Sequence, residues 1–240
     1  MLPYLQTSQF FDESHDFVFP PVSRTTREGI VCLGGNLSPG MLLSAYRRGI
    51  FPWYSDDEPI LWWSPDPRFC VLPSTLHVPE SAKKLLKKNR FSITVDTQFR
   101  AVITECAVIN RPGQPGTWIT AEMREAYIRL HELGYAHSVE VWENGTLAGG
   151  LYGVSLGKAF FGESMFSRVS GASRAGFLTF AAELFEKRYE LIDSQMHTDY
   201  VASMGGVDIP RARYLALLDN ALKHETHKGL WTDFFTSGRW

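Results

Sequence analysis

The spacing of apolar positions changes along the chain, and each change marks an element. Gly29–Leu33 is a brief apolar run closed by Gly34-Gly35, which predicts a short strand. Ser38-Pro39 then opens a helix, with serine as N-cap and proline at its first position, and Gly49 stops it. Leu42, Leu43, Ala45 and Tyr46 supply its apolar side. From Phe51 to Arg68 the chain reads FPWYSDDEPILWWSPDPR. Pro52, Pro59, Pro65 and Pro67 forbid a long helix there and confine any strand to short pieces. The segment also carries Trp53, Trp62 and Trp63, three of the seven tryptophans, on what reads as a rigid loop system. They either display a binding surface or plug a junction.

Helical spacing resumes at Pro79–Asn89. At 100° per residue Lys83, Lys84, Lys87 and Lys88 fall within an arc of about 140°, with Ala82, Leu85 and Leu86 opposite. Such a face is either simply solvated or a docking surface for phosphates, and with no acid between the lysines the second is favoured. Phe91–Val95 reads as a strand and 98–109 as a helix. Thr120 caps a helix whose Met123, Ala126, Tyr127 and Leu130 recur at helical intervals, until Gly134. Ser138–Trp142 and Thr146–Val154 flank Asn144-Gly145, a strong hairpin signal. A strand over Lys158–Phe166, a helix from Ser170 or Gly171 to Phe185, a strand over Leu191–Met196 and a helix from Pro210 to about Leu222 complete the series. A strand–helix–strand crossover makes the strands around Phe161 and Ile192 parallel, giving a mixed sheet covered by helices, an α/β (α+β) class.

Composition narrows the function classes. The chain has 240 residues, 44% hydrophobic and 21% charged, ordinary values for a globular protein of one large or two small domains. A net charge of −2 argues against wholesale coating of nucleic acid but allows a local basic patch. No apolar run reaches the roughly 18 residues a membrane span needs, and the N-terminus lacks the basic and apolar regions of a signal peptide. Cys32, Cys70 and Cys106 are odd in number and far apart. They are expected to be reduced, buried thiols in a cytoplasmic protein rather than disulfides or metal ligands.

Hydrolase signatures fail. Gly162-Glu163-Ser164 begins a nucleophile elbow but lacks its closing glycine, and His197 beside Asp199 has no activated serine to serve. The seven histidines have no metal-ligand spacing, so neither metal nor cofactor is expected. What remains are polar residues inside apolar strands: Glu163 in AFFGESMF, and Asp193 with Gln195 in LIDSQM. Period-two alternation puts Asp193 and Gln195 on one face. A carboxylate so placed costs free energy unless paired, so it is either a structural group satisfied by its surroundings or a working one.

GIFPWYS…ILWWSPDPR, GTWIT…AYIRLHELGYAHSVEVW, FGESMFSR…AS and LIDSQ occur in this order. Together they resemble the bacterial leucyl/phenylalanyl-tRNA–protein transferase family, from about Gly29 to Tyr214. The first twenty-odd residues and the tail KHETHKGLWTDFFTSGRW fall outside the resemblance. It implies a small N-terminal domain (1–68, carrying the tryptophan loop) and a GNAT-like acyltransferase domain (69–240). It also implies transfer of Leu or Phe from aminoacyl-tRNA to the N-terminal α-amine of proteins starting with Arg or Lys, marking them for degradation by the N-end rule. A monomer is the default expectation.

By the same resemblance Asp193 would hold or deprotonate the attacking amine and Gln195 would position it or relay its proton. In a competing account the terminal ribose of the tRNA carries the proton and Asp193 only organises the site. Glu163 would grip the α-amino group of the transferred residue. Trp53 and Trp118 would hold the terminal adenosine, with Tyr127 supporting that end, and Leu151, Phe177 and Phe180 would line the side-chain pocket. Lys83, Lys84, Lys87 and Lys88 would meet the acceptor stem. Ser194 stands where relatives often carry cysteine and Tyr200 where a histidine is more usual, so His197, Asp199 and Tyr200 are given no role. Two other readings remain. Arg168–Ser173 partly matches the pyrophosphate loop of an acetyl-CoA-dependent N-acetyltransferase. The lysine face with exposed tryptophans would suit an RNA-binding module.

Overall fold

The computed structural model describes residues 2–109 and 119–233. Its elements are β1 (Tyr4–Leu5), β2 (Ile30–Gly34), α1 (Pro39–Arg47), β3 (Phe51–Pro52), β4 (Leu61–Trp63), β5 (Arg68–Val71), α2 (Glu80–Leu86), β6 (Ser92–Val95) and α3 (Phe99–Val108). After them come α4 (Ala121–Glu132), β7 (Ala136–Glu143), β8 (Thr146–Leu156), β9 (Ala159–Ser167), α5 (Ala172–Glu186), β10 (Leu191–Gln195), α6 (Asp199–Ala202), β11 (Gly206–Ile209) and α7 (Arg211–Ala221).

Two sheets organise the chain. The first has the order β1-β2-β4-β3, and the second β11-β5-β10-β9-β8-β7-β6. The tight Asn144-Gly145 turn, both residues at positive φ, joins β7 to β8 as its sequence predicts. β9 and β10 are parallel, with Leu191, Ile192 and Asp193 opposite Ala159, Phe160 and Phe161. The crossover through α5 requires this. A mixed sheet flanked by helices is therefore observed. The tryptophan segment holds more regular structure than its prolines suggest: β3 and β4 pair in the first sheet, and β5 runs between β10 and β11 in the second.

Helices cover both faces of the second sheet. A side chain at Gly149 would meet Ala172 and Ser173 of α5, whereas one at Gly150 would meet Val102 of α3. Successive strand residues face opposite ways, so α5 and α3 lie on opposite faces. Burial follows the same alternation: Leu151 and Phe160 pack with α5, Tyr152 and Phe161 with α1, α3 and α4. The second layer is continuous with the core of the first sheet, and α1 is buried from Pro39 to Tyr46. A helix so thoroughly apolar belongs inside a fold. Cys32, Cys70 and Cys106 are free and buried, and burial pushes the Cys32 thiol up to about 12.

The lysine helix is shorter than its pattern suggests. α2 ends at Leu86, with Ala82 and Leu86 buried, so Lys87 and Lys88 follow its last turn. All four lysines are exposed. Lys83 is not free of acids, because its Nζ lies 2.6 Å from Glu80 at the helix start.

Candidate active site

β9 and β10 stay paired only to Phe161 and Asp193, and a cleft of about 730 Å³ opens where they diverge. Openings beyond the carboxyl ends of parallel strands are where α/β folds bind ligands. Both strands are bulged there. Opposite β8, Gly162 faces Gly153 and Ser164 faces Tyr152, leaving Glu163 without a ladder partner. Opposite β5, Asp193 faces Cys70 and Gln195 faces Phe69, which leaves out Ser194. A bulge re-aims the side chains beside it. Glu163 is turned into the opening, and Gln195 (φ 63°) departs from strand geometry.

Glu163 is buried yet hydrogen-bonded through both oxygens, with three protein donors for about four acceptor sites. Tyr46 donates to its Oε1 at 2.7 Å, Gln195 Nε2 donates to the same oxygen at 2.7 Å, and Tyr127 donates to Oε2 at 3.0 Å. The two tyrosine oxygens also touch; with one proton each, both hydroxyls donate to the ionised carboxylate, or one donates to the other when Glu163 is protonated. Burial pushes the Glu163 carboxyl up to about 7, against the pull of these three hydrogen bonds and with a smaller push from the Asp193 charge. The carboxylate is thus held in one orientation, near the balance point between its charged and neutral forms at neutral pH. Tyr127 is itself fully buried and grips Glu163 from α4.

Asp193 lies behind the cleft rather than in it, and is fully buried. Arg68 Nε donates to Oδ1 at 2.8 Å and Arg68 Nη2 to Oδ2 at 2.7 Å, while Tyr214 donates to Oδ2 at 2.7 Å. The backbone N–H of Gln195 donates to Oδ1 at 2.9 Å. The carboxylate is therefore committed to its protein partners, and its reach to the cleft runs through Gln195. This corrects the same-face expectation, because the bulge sends Asp193 toward Arg68 and Gln195 toward Glu163. Arg68 also donates to the Gly49 carbonyl at 3.2 Å and stacks on Phe51 and Tyr214. Burial opposes its charge, and Asp193 more than restores it.

Beyond Glu163 the cleft is lined by Leu151, Phe160, Met165, Phe177 and Phe180 on the α5 side and by Phe51 and Trp53 at its mouth. Leu151, Phe177 and Phe180 lie together in this lining. The tryptophans divide between its two alternatives. Trp53 lines the cleft beside Trp63, whose Nε1 donates to the Trp53 carbonyl at 2.7 Å. Trp62 is a fully buried plug donating to the Gly34 carbonyl. Trp118 lies outside the described residues.

Several participants escaped the sequence reading. Tyr46, Arg68 and Tyr214 carry no local signal, since their partners are far away in the chain. His197 and Tyr200 do line the cleft; Tyr200 shares a hydrogen bond with Ser173 and His197 one with Asp208. The pyrophosphate-loop reading is weakened at its own residues. Arg168 is paired with Glu105, and the first amides of α5 bond Val169 and Ser167. Among the described residues no group of three acidic, histidine or cysteine side chains could hold a metal, and no helix is long and apolar enough to cross a membrane.

Comparison with known proteins agrees with the motifs. Residues 70–219 match the family model of leucyl/phenylalanyl-tRNA protein transferase, and residues 35–66 match that of its N-terminal domain. A leucyl/phenylalanyl-tRNA–protein transferase of Myxococcus xanthus (strain DK1622) is 53% identical over 92% of this chain and 94% of its own. One of Syntrophus aciditrophicus (strain SB) is 54% identical over 90% of each. A solved GCN5-related N-acetyltransferase from Kribbella flavida aligns at TM-score 0.36 and 13% identity, covering 71% of this chain and 61% of the other. L-PGS from Bacillus licheniformis aligns at 0.38 and 10% identity, covering 68% and 54%. Likeness at this level carries no argument.

Proposed function

The chain belongs to the leucyl/phenylalanyl-tRNA–protein transferase family, and we propose that its transfer of Leu or Phe from aminoacyl-tRNA to a protein N-terminus takes place in the cleft between β9 and β10. One observation carries this placement: a buried carboxylate, Glu163, stands in the cleft with Gln195, beside an apolar patch formed by Leu151, Phe160, Phe177 and Phe180. Such a pair of features suits an α-amino acid with an apolar side chain, the ammonium on the carboxylate and the side chain against Leu151, Phe177 and Phe180. A pocket of this kind separates side chains by shape, at about 1–3 kcal/mol per misplaced carbon. Trp53, with Trp118, would hold the terminal adenosine, where stacking contributes about 1–3 kcal/mol per base. Lys83, Lys84, Lys87 and Lys88 would meet the acceptor stem through phosphates.

The reaction is aminolysis of an ester. The acceptor's neutral α-amine attacks the aminoacyl carbonyl, a C–N bond forms, the ester C–O bond breaks, and the ribose oxygen leaves with a proton. The ester is already activated, so catalysis rests on bringing the amine and carbonyl together in line. Gln195 spends its amide nitrogen on Glu163, which leaves its carbonyl end to accept from the incoming amine. Asp193 acts through Gln195 as a positioning residue, because its oxygens are taken by Arg68, Tyr214 and the Gln195 N–H. This favours the account in which the tRNA's own terminal ribose carries the proton. The acceptors would be proteins beginning with Arg or Lys, sent on to degradation by the N-end rule. The enzyme would work as a cytoplasmic monomer in two units divided near residue 68.

Radiolabelled Phe-tRNA and a model protein with N-terminal Arg provide the test. Label on the substrate's α-amine, without CoA or metal, is the expected result. Acetylation from acetyl-CoA with no transfer from either Leu-tRNA or Phe-tRNA would place the acetyltransferase reading ahead. Asp193→Asn is expected to lower kcat by about tenfold or more with tRNA affinity unchanged. An RNA-binding module that stays folded would keep its tRNA affinity after that change and show no transfer before or after it.

A further inference from the structure

The C-terminal segment after α7 has no part in the chemistry above and lies beyond the residues matched by the family model. Its described part, residues 222–233, is nevertheless tied down at several points. Thr226 Oγ1 accepts from the Gly157 N–H at 2.9 Å, and the Gly229 N–H donates to the Gly134 carbonyl at 3.2 Å. Lys228 sits over the Tyr135 ring. The strap carries Trp231, which is 1% exposed. Its backbone N–H donates to Asp96 Oδ2 at 2.8 Å, and the same oxygen pairs with His137 Nδ1 at 2.8 Å. The His137 ring stacks on the indole at 3.6 Å and 14°. A polar latch thus holds a large aromatic group in one place.

That place adjoins the pocket. The Trp231 ring centroid lies 6.5 Å from Phe160 and 6.3 Å from Phe180, both of which line the cleft and pack edge-on against each other at 4.8 Å. We infer that Trp231 sets the depth of the side-chain pocket, as a backing layer that stops Phe160 and Phe180 from receding, and so limits which amino acids are transferred. Close-packed interiors transmit such volume changes, because a removed ring leaves space that its neighbours move to fill. Trp231 is a positioning residue: it touches no substrate and acts through the two phenylalanines. The inference rests on the reading that this cleft holds the transferred side chain.

Competition between Leu-tRNA and a tRNA charged with a residue bulkier than Phe, such as 2-naphthylalanine, reads pocket depth directly. For Trp231→Leu the kcat/KM ratio of bulky residue to leucine is expected to rise about tenfold over wild type. For Trp231→Phe it should rise less. Thr226→Ala, which loosens the strap without touching the aromatic layer, should lower the melting temperature and leave the ratio unchanged. If Trp231→Leu does not fold, Trp231→Phe alone decides by the same ratio. An unchanged ratio in a folded Trp231 variant, or an equal shift in Thr226→Ala, overturns the inference. Absence of any transfer by the wild type would instead remove the reading on which it rests.

Discussion

Glu163, at the proposed site, is placed where burial opposes its charge. Its pKa is raised from 4.5 to about 7, chiefly by burial. Between those values the folded chain keeps a proton that the unfolded chain releases, so Glu163 lowers stability as pH rises through that window. The loss amounts to about 3 kcal/mol at most. Glu163→Gln has no such proton. Its denaturation midpoint relative to wild type should therefore be higher at pH 8 than at pH 5, and a pH-independent difference would show that the carboxyl is not held as described. The same substitution should cost about a hundredfold in kcat/KM for transfer, since a hydrogen bond to a charged partner contributes about 1.5–3 kcal/mol. The sequence marks Glu163 as an acid in an apolar strand. It does not show Tyr46, 117 positions away, among the groups that make such a placement tolerable.

At the scale of elements, local chemistry fixes most of what was legible. The Asn144-Gly145 turn, the Thr120 cap accepting from Met123 N at 3.1 Å, and Gly134 at the end of α4 all act within a few residues of themselves. Short strands in the proline-rich segment were not legible, because β3, β4 and β5 are specified by partners elsewhere rather than by period. The lysine face of α2 lies between these cases. Its helical repeat is visible, but the exposed surface is one turn of helix plus two residues beyond it, with Lys83 engaged by Glu80. Replacing Lys84, Lys87 and Lys88 together by alanine is expected to weaken tRNA binding at low salt and to reduce the salt slope by about 3. Lys83→Ala alone should do least. Unchanged affinity in the triple variant would assign α2 to the solvated faces that charge runs usually form.

At the scale of the whole molecule, Arg68 joins what the two sheets contribute. It reaches Gly49 at the end of α1, stacks on Phe51 of β3, and holds Asp193 of β10 beside Tyr214 of α7. Through the Phe51 contact it ties the first sheet to the Asp193–Gln195 pair of the second. Arg68→Lys keeps the charge but loses the planar two-pronged grip. It should destabilise the fold by about 1–3 kcal/mol, the usual cost of leaving buried hydrogen-bonding groups without a partner. Among the molecules that stay folded, kcat should fall while affinity for aminoacyl-tRNA holds. Stability and kcat equal to wild type would show that Arg68 links nothing.

The sequence by itself determined the elements whose signals are local, the crossover that makes β9 and β10 parallel, and, through long and unusual motifs, the family. It also supplied a short set that the fold gathers in one cleft, the proposed site: Glu163, Gln195, Trp53 and the apolar pocket residues. Tertiary structure alone decided the rest. Bulges at Glu163 and Ser194 shift the side-chain alternation that period-two reasoning assumes, so Asp193 and Gln195 part company. The partners of Asp193 are 125 and 21 positions away, and a pairing over such distances leaves no mark in local spacing. Trp231 meets Phe160 and Phe180 only because the strap is folded back and latched to Asp96. Local periodicity records which way a residue faces; which residue it faces is settled only when the chain closes on itself.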